Sequence, residues 1–544
     1  MLHKTNCLPH VILGVFLVTY VLFSVLTLGL SPLPAGDEAF YAQVMETHAR
    51  TGRIAHERLL GVVGMDQEYP LFGKLYIILG SVALRTGLPE LWGLRLLSFL
   101  ALAVCLVFTF FWLKSMYDSK TGLLSIVLML FSTPIFISSH TVRPECLDLA
   151  LLSAALYYAH RSILSSGKTS ALASGLATGA LLTVHLGSAP LILVVGTWWI
   201  LEYRLNFLRK AQFWVWVLGV SAGVSFWLYW HVLQNTDLYL QQLSVMRRMS
   251  PSPPSISRNP LYWFYLELDA IWKPYGFSRF GLGIIALSIL AFGLTQALRR
   301  RDARDLKVAG ATLSLFVFQS VLASNRYGWY VVFYLFFLCP ILARLVVTEV
   351  TGPGGPKGIL RRVPVSAVVL YVAVAAIQIG CKVGLDSTAP SLDEIGRRVS
   401  AAIPKDARVC ASAPVYFTKP AFEWVDTWLL QILPAAGYPE QDRLGHNIEE
   451  TLERAGIKYI VAHTDHDWDL SGLGPLAPSA PGASQPFDQA YFAHHHTEVV
   501  GVVDGGRGGK YVIRRVTYSL DDKNEANRKG MISNSCWRSL SSFP

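Results

Sequence analysis

Eleven apolar runs, each near the length that a lipid bilayer demands, dominate this chain of 544 residues. They fall at roughly 8–30, 96–113, 121–139, 145–160, 170–187, 189–202, 212–232, 280–298, 308–323, 329–346 and 365–383, with a further apolar segment near 70–84. A spanning helix takes about 20 largely apolar residues. A backbone in hydrocarbon must also satisfy its own hydrogen bonds, so these runs are expected as helices. Charged residues make up only 15% of the chain and apolar ones 52%, with a mean hydropathy of +0.39, whereas a soluble protein carries about 25% charge. A purely soluble enzyme, a disordered chain and collagen are excluded. The expectation is an α-helical polytopic membrane protein with about 11–13 transmembrane helices and a small C-terminal soluble α/β domain.

The net charge of +10 would suggest nucleic acid if it were spread evenly. It is not. Residues 1–383 hold 31 Lys and Arg against 17 Asp and Glu, while residues 384–544 hold 16 against 20. The basic excess sits between apolar runs, where it marks cytoplasmic loops, and no nucleic-acid partner is implied. The strongest such anchor is Arg299-Arg300-Arg301-Asp302-Ala303-Arg304-Asp305-Leu306-Lys307. Counting crossings from it puts loop 31–69, the short connection around Arg143, the long loop 233–279 and everything after about 384 on the outer side. That bookkeeping requires segment 70–84 to be re-entrant or to lie along the interface. The first run, from Leu8 to Leu30, is long for a signal peptide and is read as a retained helix. The seven cysteines show no spacing suggestive of zinc or a disulfide framework.

Three regions follow: a transmembrane domain over 1–383, an outer (periplasmic) α/β domain over 384–517, and a flexible polar tail over 518–544. In the second, strands are expected at 407–413 and 457–462, a helix at 447–455, and a hairpin from 498–503 to 510–516.

Chemistry concentrates on the outer side. Gly36-Asp37-Glu38-Ala39-Phe40-Tyr41 places two adjacent carboxylates just after the first helix. Partial desolvation there would sharpen a carboxylate as a base. The plain alternative is that Asp37 caps a helix running to Arg50, with Glu38 at its positive end. Arg143-Pro144-Glu145, with Asp148 one turn on, opens a helix with two acids entering an apolar stretch, a costly arrangement that marks a functional candidate. A local Arg143–Glu145 ion pair is the alternative there. Arg247, Arg248, Arg258, Lys273, Arg279 and Arg326 put positive charge on the outer side, with Tyr330 nearby. They suit either phosphate or lipid headgroups. An acidic cluster permits a divalent metal without requiring one, the candidate ligands being Asp37, Glu145 and His140. His185 lies at another outer helix end, and the tracts around His463 and His494 have no fixed ligand spacing.

The ordered set of Asp37-Glu38 after the first helix, Leu94-Arg95-Leu96-Leu97-Ser98, Val142-Arg143-Pro144-Glu145 and Tyr330…Tyr334…Pro340 resembles the C superfamily of membrane glycosyltransferases. This superfamily includes the protein O-mannosyltransferases and lipid A aminoarabinose transferases. The resemblance runs over residues 8–345. It implies an inverting transfer of a hexosyl or pentosyl group from a polyprenyl-phosphate donor to an acceptor glycan, lipid or protein on the outer face of an inner membrane. It also implies that Asp37 is the base, with Glu38 beside it and Glu145 at the second acidic position. Arg95 matches the family arginine, and Arg326 and Tyr330 fall near the donor phosphate, with Arg143 as a further substrate contact. The family's cation before the second apolar segment is replaced by Glu68-Tyr69-Pro70, so Lys74, Arg247 or Arg248 would have to supply that charge. A secondary transporter or a lipid-binding envelope assembly protein is the alternative. A transporter, however, would repeat its charges in two halves near mid-membrane, and no repeat is seen.

Overall fold

The structure, a computed structural model, describes residues 8–34, 36–249, 265, 267–268, 282–322, 330–351, 359–436, 448–463, 497–505 and 510–516. Every one of the eleven apolar runs is helical: α1 (Leu8–Thr27), α4 (Glu90–Met116), the pair α5 (Ser119–Leu130) and α6 (Thr133–Ser139), α7 (Glu145–Ser165), α8 (Lys168–Val184), α9 (Ala189–Tyr203), α10 (Ala211–Trp227), α12 (Leu282–Arg300), α13 (Ala303–Leu322), α14 (Val331–Thr351) and α15 (Ile359–Asp386). Among the described residues, six helices are individually long and apolar enough to cross a bilayer, or seven with the α5–α6 pair. This is a multi-span membrane protein.

Two features depart from a simple row of spans. Run 121–139 is not straight: it bends by 72° between Leu130 and Thr133. Ser132 adopts an extended conformation and Pro134 stands in the first turn of α6; proline offers no N–H to the preceding turn and disfavours helix before it, so the break is local chemistry. Segment 70–84 yields only α3 (Lys74–Leu84), 11 residues long. At 1.5 Å per residue that is about half of a 30 Å hydrocarbon core. It does not cross. Instead it lies beside α2 (Gly36–Thr51), and Arg85 just past its end donates to the Ala49 carbonyl (2.9 Å).

Helix packing follows small residues. A Cβ on Gly175 would fall 2.3 Å from the Trp216 carbonyl oxygen, and one on Gly223 would fall 2.7 Å from the Gly179 Cα. α8 and α10 therefore touch backbone to backbone, as small-residue stripes allow in lipid. The span from Val331 to Val350 is the central one, 83% of it buried against 17% for Ala211–Leu233.

The bundle has two distinct ends. At one, the basic loops gather: Lys307 pairs with Glu202 (2.7 Å), Arg344 with Asp118 (3.3 Å), Arg304 with Asp302 (3.1 Å) and Arg300 with Glu349. At the other stands a five-stranded sheet of order β2-β1-β3-β5-β4. It is built from β1 (Arg408–Ala411), β2 (Glu423–Asp426), β3 (Ile457–His463), β4 (Thr497–Asp504) and β5 (Lys510–Val516). β1 runs parallel to both β2 and β3, while β5 is antiparallel to β3 and to β4. The expected strands, the hairpin and the helix (α18, Ile448–Arg454, after α16, Leu392–Ala401, and α17, Leu429–Ala436) are present. β2 escaped the sequence reading because four residues that begin and end on a charge make no alternating run.

Loop 31–69 is not a free loop. α2 and two short 3-10 turns bury Ala39, Phe40, Leu59, Val62 and Met65 in the same apolar cluster as Val409, Trp424 and Ile460 of the sheet. In the long 233–279 stretch the structure shows α11 (Thr236–Met249). The tail 518–544 lies outside the described residues.

Candidate active site

α2 begins at Gly36, so Asp37 sits inside its first turn rather than at the cap. Successive helical residues diverge by about 100°, and the two neighbouring acids are thereby sent to different partners. Glu38 turns inward. Its Oε1 accepts from Arg95 Nε (2.6 Å) and from the Val142 backbone N–H (2.8 Å), and its Oε2 from Arg95 Nη2 (2.8 Å). Arg95 Nη1 donates in turn to the Leu28 carbonyl (2.8 Å). Both side chains are buried, and both Glu38 oxygens accept from protein donors. That geometry ties the end of α1, the start of α2, α4 and the 142 loop together. It closes both side chains off from solvent.

Asp37 turns the other way, to Arg143. Arg143 Nη1 donates to Asp37 Oδ2, while Nη2 and Nε donate to Glu145 (2.8 and 3.1 Å). The local Arg143–Glu145 pair is thus present but extended to a third member. Pro144 precedes the first residue of α7 and turns the chain so that Arg143 and Glu145 face one another. Glu145 is 0% exposed and Arg143 7%, but Asp37 is 38% exposed. Two carboxylates share one guanidinium, leaving a formal charge of −1 on the trio, and only its exposed member meets water.

Around the trio stand Tyr41, His185 and Tyr330. Tyr41 is one turn beyond Asp37; burial holds its phenol well above the ordinary value, so it is neutral beside Asp37, Arg143 and Glu145. His185 lies within electrostatic reach of Glu145, Arg143 and Asp37, with its ring centroid 6.2 Å from that of Tyr330. Gly187 makes this possible, since a Cβ there would fall 2.6 Å from the His185 ring and 2.8 Å from the Tyr330 hydroxyl. Asp148, also on α7, is buried facing the Ser188 hydroxyl. Of these neighbours, Tyr41 was legible as the i+4 partner of Asp37. Gly187 gave no signal.

Other nominated residues are elsewhere. Lys74 Nζ donates to the Trp230 carbonyl (2.7 Å), Glu68 (3.3 Å) and Gln234 (3.4 Å), beside a cavity of about 320 Å³. Glu68 compensates its charge. Arg247 and Arg248 are exposed on α11, and Arg248 contacts Ser244 of its own helix (3.4 Å). Neither joins the trio. His140 is buried with Nδ1 near the Phe136 carbonyl (2.9 Å) and Nε2 near Thr27 Oγ1 (3.4 Å), so it is not gathered with Asp37 and Glu145. The proposed metal set therefore does not fit: Arg143 already places a fixed cation between the two carboxylates, and among the described residues no group of three His, Cys, Asp or Glu is arranged to hold a metal. Arg326, Arg258, Lys273, Arg279 and the histidines at 466 and 494–496 lie outside the described residues.

No protein-family model matches the sequence, and no curated protein matches it. Solved structures do. ArnT from Cupriavidus metallidurans aligns in its apo state with a TM-score of 0.62 and bound to undecaprenyl phosphate with 0.60. Each alignment shows 13% identity over 93% of this chain and 98% of ArnT. AglB, an oligosaccharyltransferase from Archaeoglobus fulgidus, in complex with an inhibitory peptide and a dolichol-phosphate, aligns at 10% identity over 93% of this chain and 74% of its own, with a TM-score of 0.48. By the near-complete overlay on ArnT, this chain has the same membrane-protein fold as ArnT.

Proposed function

We propose that the chain is an inverting glycosyltransferase, moving a sugar from a polyprenyl-phosphate carrier to an acceptor on the outer, periplasmic face of an inner membrane. The carrying observation is the trio at one end of the bundle, in which Asp37 alone is open to water above a buried Arg143 and Glu145. The fold shared with ArnT, whose structure holds undecaprenyl phosphate, supports the donor class.

In this reading the acceptor hydroxyl oxygen forms a bond to the anomeric carbon as the bond from that carbon to the phosphate oxygen breaks. The phosphate departs with the bonding electrons, and the acceptor proton passes to Asp37. A hydroxyl is far too weak an acid to attack unaided, and a positioned base contributes about 10²–10⁴ in rate. Arg143 fixes the Asp37 carboxylate in direction, while Glu145 shares the same guanidinium and offsets its charge. Glu38 and Arg95 are positioning residues here. The lipid tail of the donor partitions among the helices and confines the sugar beside the base, a gain in effective concentration. Lys74, with the cavity beside it, is a candidate contact for the donor phosphate.

The test is Asp37→Asn in cells lacking the native gene, with mass spectrometry of envelope lipids, glycans and proteins. Loss of a sugar modification at normal protein yield is expected; retained transfer would overturn the assignment. Polyprenyl phosphate recovered with the purified protein checks the donor class independently.

A further inference from the structure

The C-terminal sheet reaches the middle of the helix that carries Asp37, and it does so with polar and aromatic groups at the end of one strand. Asp426 ends β2, fully buried. A buried carboxylate is costly to desolvate. Its Oδ1 accepts from the Trp428 backbone N–H (2.9 Å), but its Oδ2 leaves the sheet and accepts from Gln43 Nε2 on α2 (3.1 Å). Two residues on, the Trp428 ring lies 4.7 Å from that of Phe40, also on α2. Phe40 is held on its other sides by His56 (4.2 Å) and Phe72 (5.3 Å), both from the segment that follows α2. Phe40 and Gln43 are three and six residues beyond Asp37, so they lie within two turns of it on the same helix. The start of α2 is pinned by Glu38, and its middle is pinned from the sheet.

We infer that Trp428 and Asp426 are positioning residues of the active site, setting the seat of α2, and hence of the Asp37 carboxylate, through Phe40 and Gln43. The inference rests on the assignment of Asp37 as the base only for its effect on transfer; its structural half stands apart from that assignment. A sheet domain joined merely for stability would need apolar contact alone. Here a buried acid is directed at one glutamine of the helix that bears the base, and an indole at the aromatic ring one turn from it. Without Trp428, Phe40 loses one wall, and α2 keeps its tie at Glu38 but loses the support that sets its tilt about that point, and with it the direction of Asp37 toward Arg143.

The full-length protein carrying Asp37→Cys, reconstituted in phospholipid vesicles, reports the seat of α2 directly. The rate at which a membrane-impermeant maleimide alkylates the introduced thiol is followed on its own peptide by mass spectrometry. Adding Trp428→Ala should change that rate fivefold or more, and Trp428→Phe, which keeps an aromatic wall, should hold it within twofold. Gln43→Met, which keeps the volume but removes the donor to Asp426, should change it about threefold and serves where Trp428→Ala is not recovered from membranes. In proteins retaining Asp37, Trp428→Ala should lower sugar transfer about tenfold, and Trp428→Phe should restore it. Equal alkylation rates across all these proteins would overturn the inference. Unequal rates together with transfer that survives Asp37→Asn would leave the brace standing and remove the base, whereas equal rates with transfer abolished by Asp37→Asn would do the reverse.

Discussion

The two ends of the bundle use the same residue types in opposite ways. At the Arg304 end, the paired side chains are between 12% and 44% exposed. At the Asp37 end, Arg95, Glu38, Arg143 and Glu145 are between 0% and 7% exposed. Exposed pairs are screened by water and contribute about 0–1 kcal/mol each. Buried pairs cost desolvation of both partners, and removing one partner leaves a charge stranded at about 3–5 kcal/mol. The first arrangement anchors loops at an interface; the second imposes a fixed geometry. Charge alone does not mark a site in a membrane protein, but charge withdrawn from water and fully paired does.

That contrast can be broken most severely at Asp37. Asp37→Asn should cost about 10²–10⁴ in transfer rate with little change in unfolding midpoint, because the side chain is the exposed member of its trio. Next in size, Glu38→Ala strands Arg95 and should destabilise the protein by about 3–5 kcal/mol in denaturant titrations in detergent. Replacing both partners with apolar residues should recover much of that loss, as matched apolar replacements of buried pairs do. If the double variant is no more stable than the single one, the Glu38–Arg95 contact is not a matched pair.

A third prediction sharpens the comparison through pH. Burial pushes the Asp426 carboxyl up to about 6 from its ordinary 3.8, and burial holds the neighbouring His56 down at about 3, neutral throughout. Below about pH 4, Asp426 is protonated in both folded and unfolded chains and costs nothing. As pH rises toward 6 the unfolded chain releases its proton first, so stability falls, and above 6 the penalty is complete. Asp426→Asn removes that penalty but also one acceptor. It should stabilise the protein by about 1–2 kcal/mol at pH 8, with the gain shrinking and reversing by pH 4. Thermal unfolding at the two pH values measures it. Smallest of all, Lys307→Ala at the opposite end should cost at most about 1 kcal/mol, since its pair with Glu202 is partly solvated. A loss as large as that of Glu38→Ala would erase the distinction between the two ends.

The spans, the short α3, the β4–β5 hairpin and the acidic pair at 37–38 were all legible in the sequence, because hydropathy, segment length and strand alternation are properties of neighbouring residues. So was the gathering of basic loops at one end. The roles within the site were not. Asp37 and Glu38 are adjacent in the chain and alike in chemistry, yet one faces water and the other is enclosed by Arg95 and the Val142 N–H. That Lys74 stands with Glu68 and the Trp230 carbonyl was not legible either, and His140 read as a possible ligand until its ring was found turned to Phe136 and Thr27. Local pattern determined which residues enter the membrane and which chemistry the chain carries. The folded bundle alone decided which charge meets which, since those partners lie as much as 106 positions apart and are chosen by packing rather than by spacing.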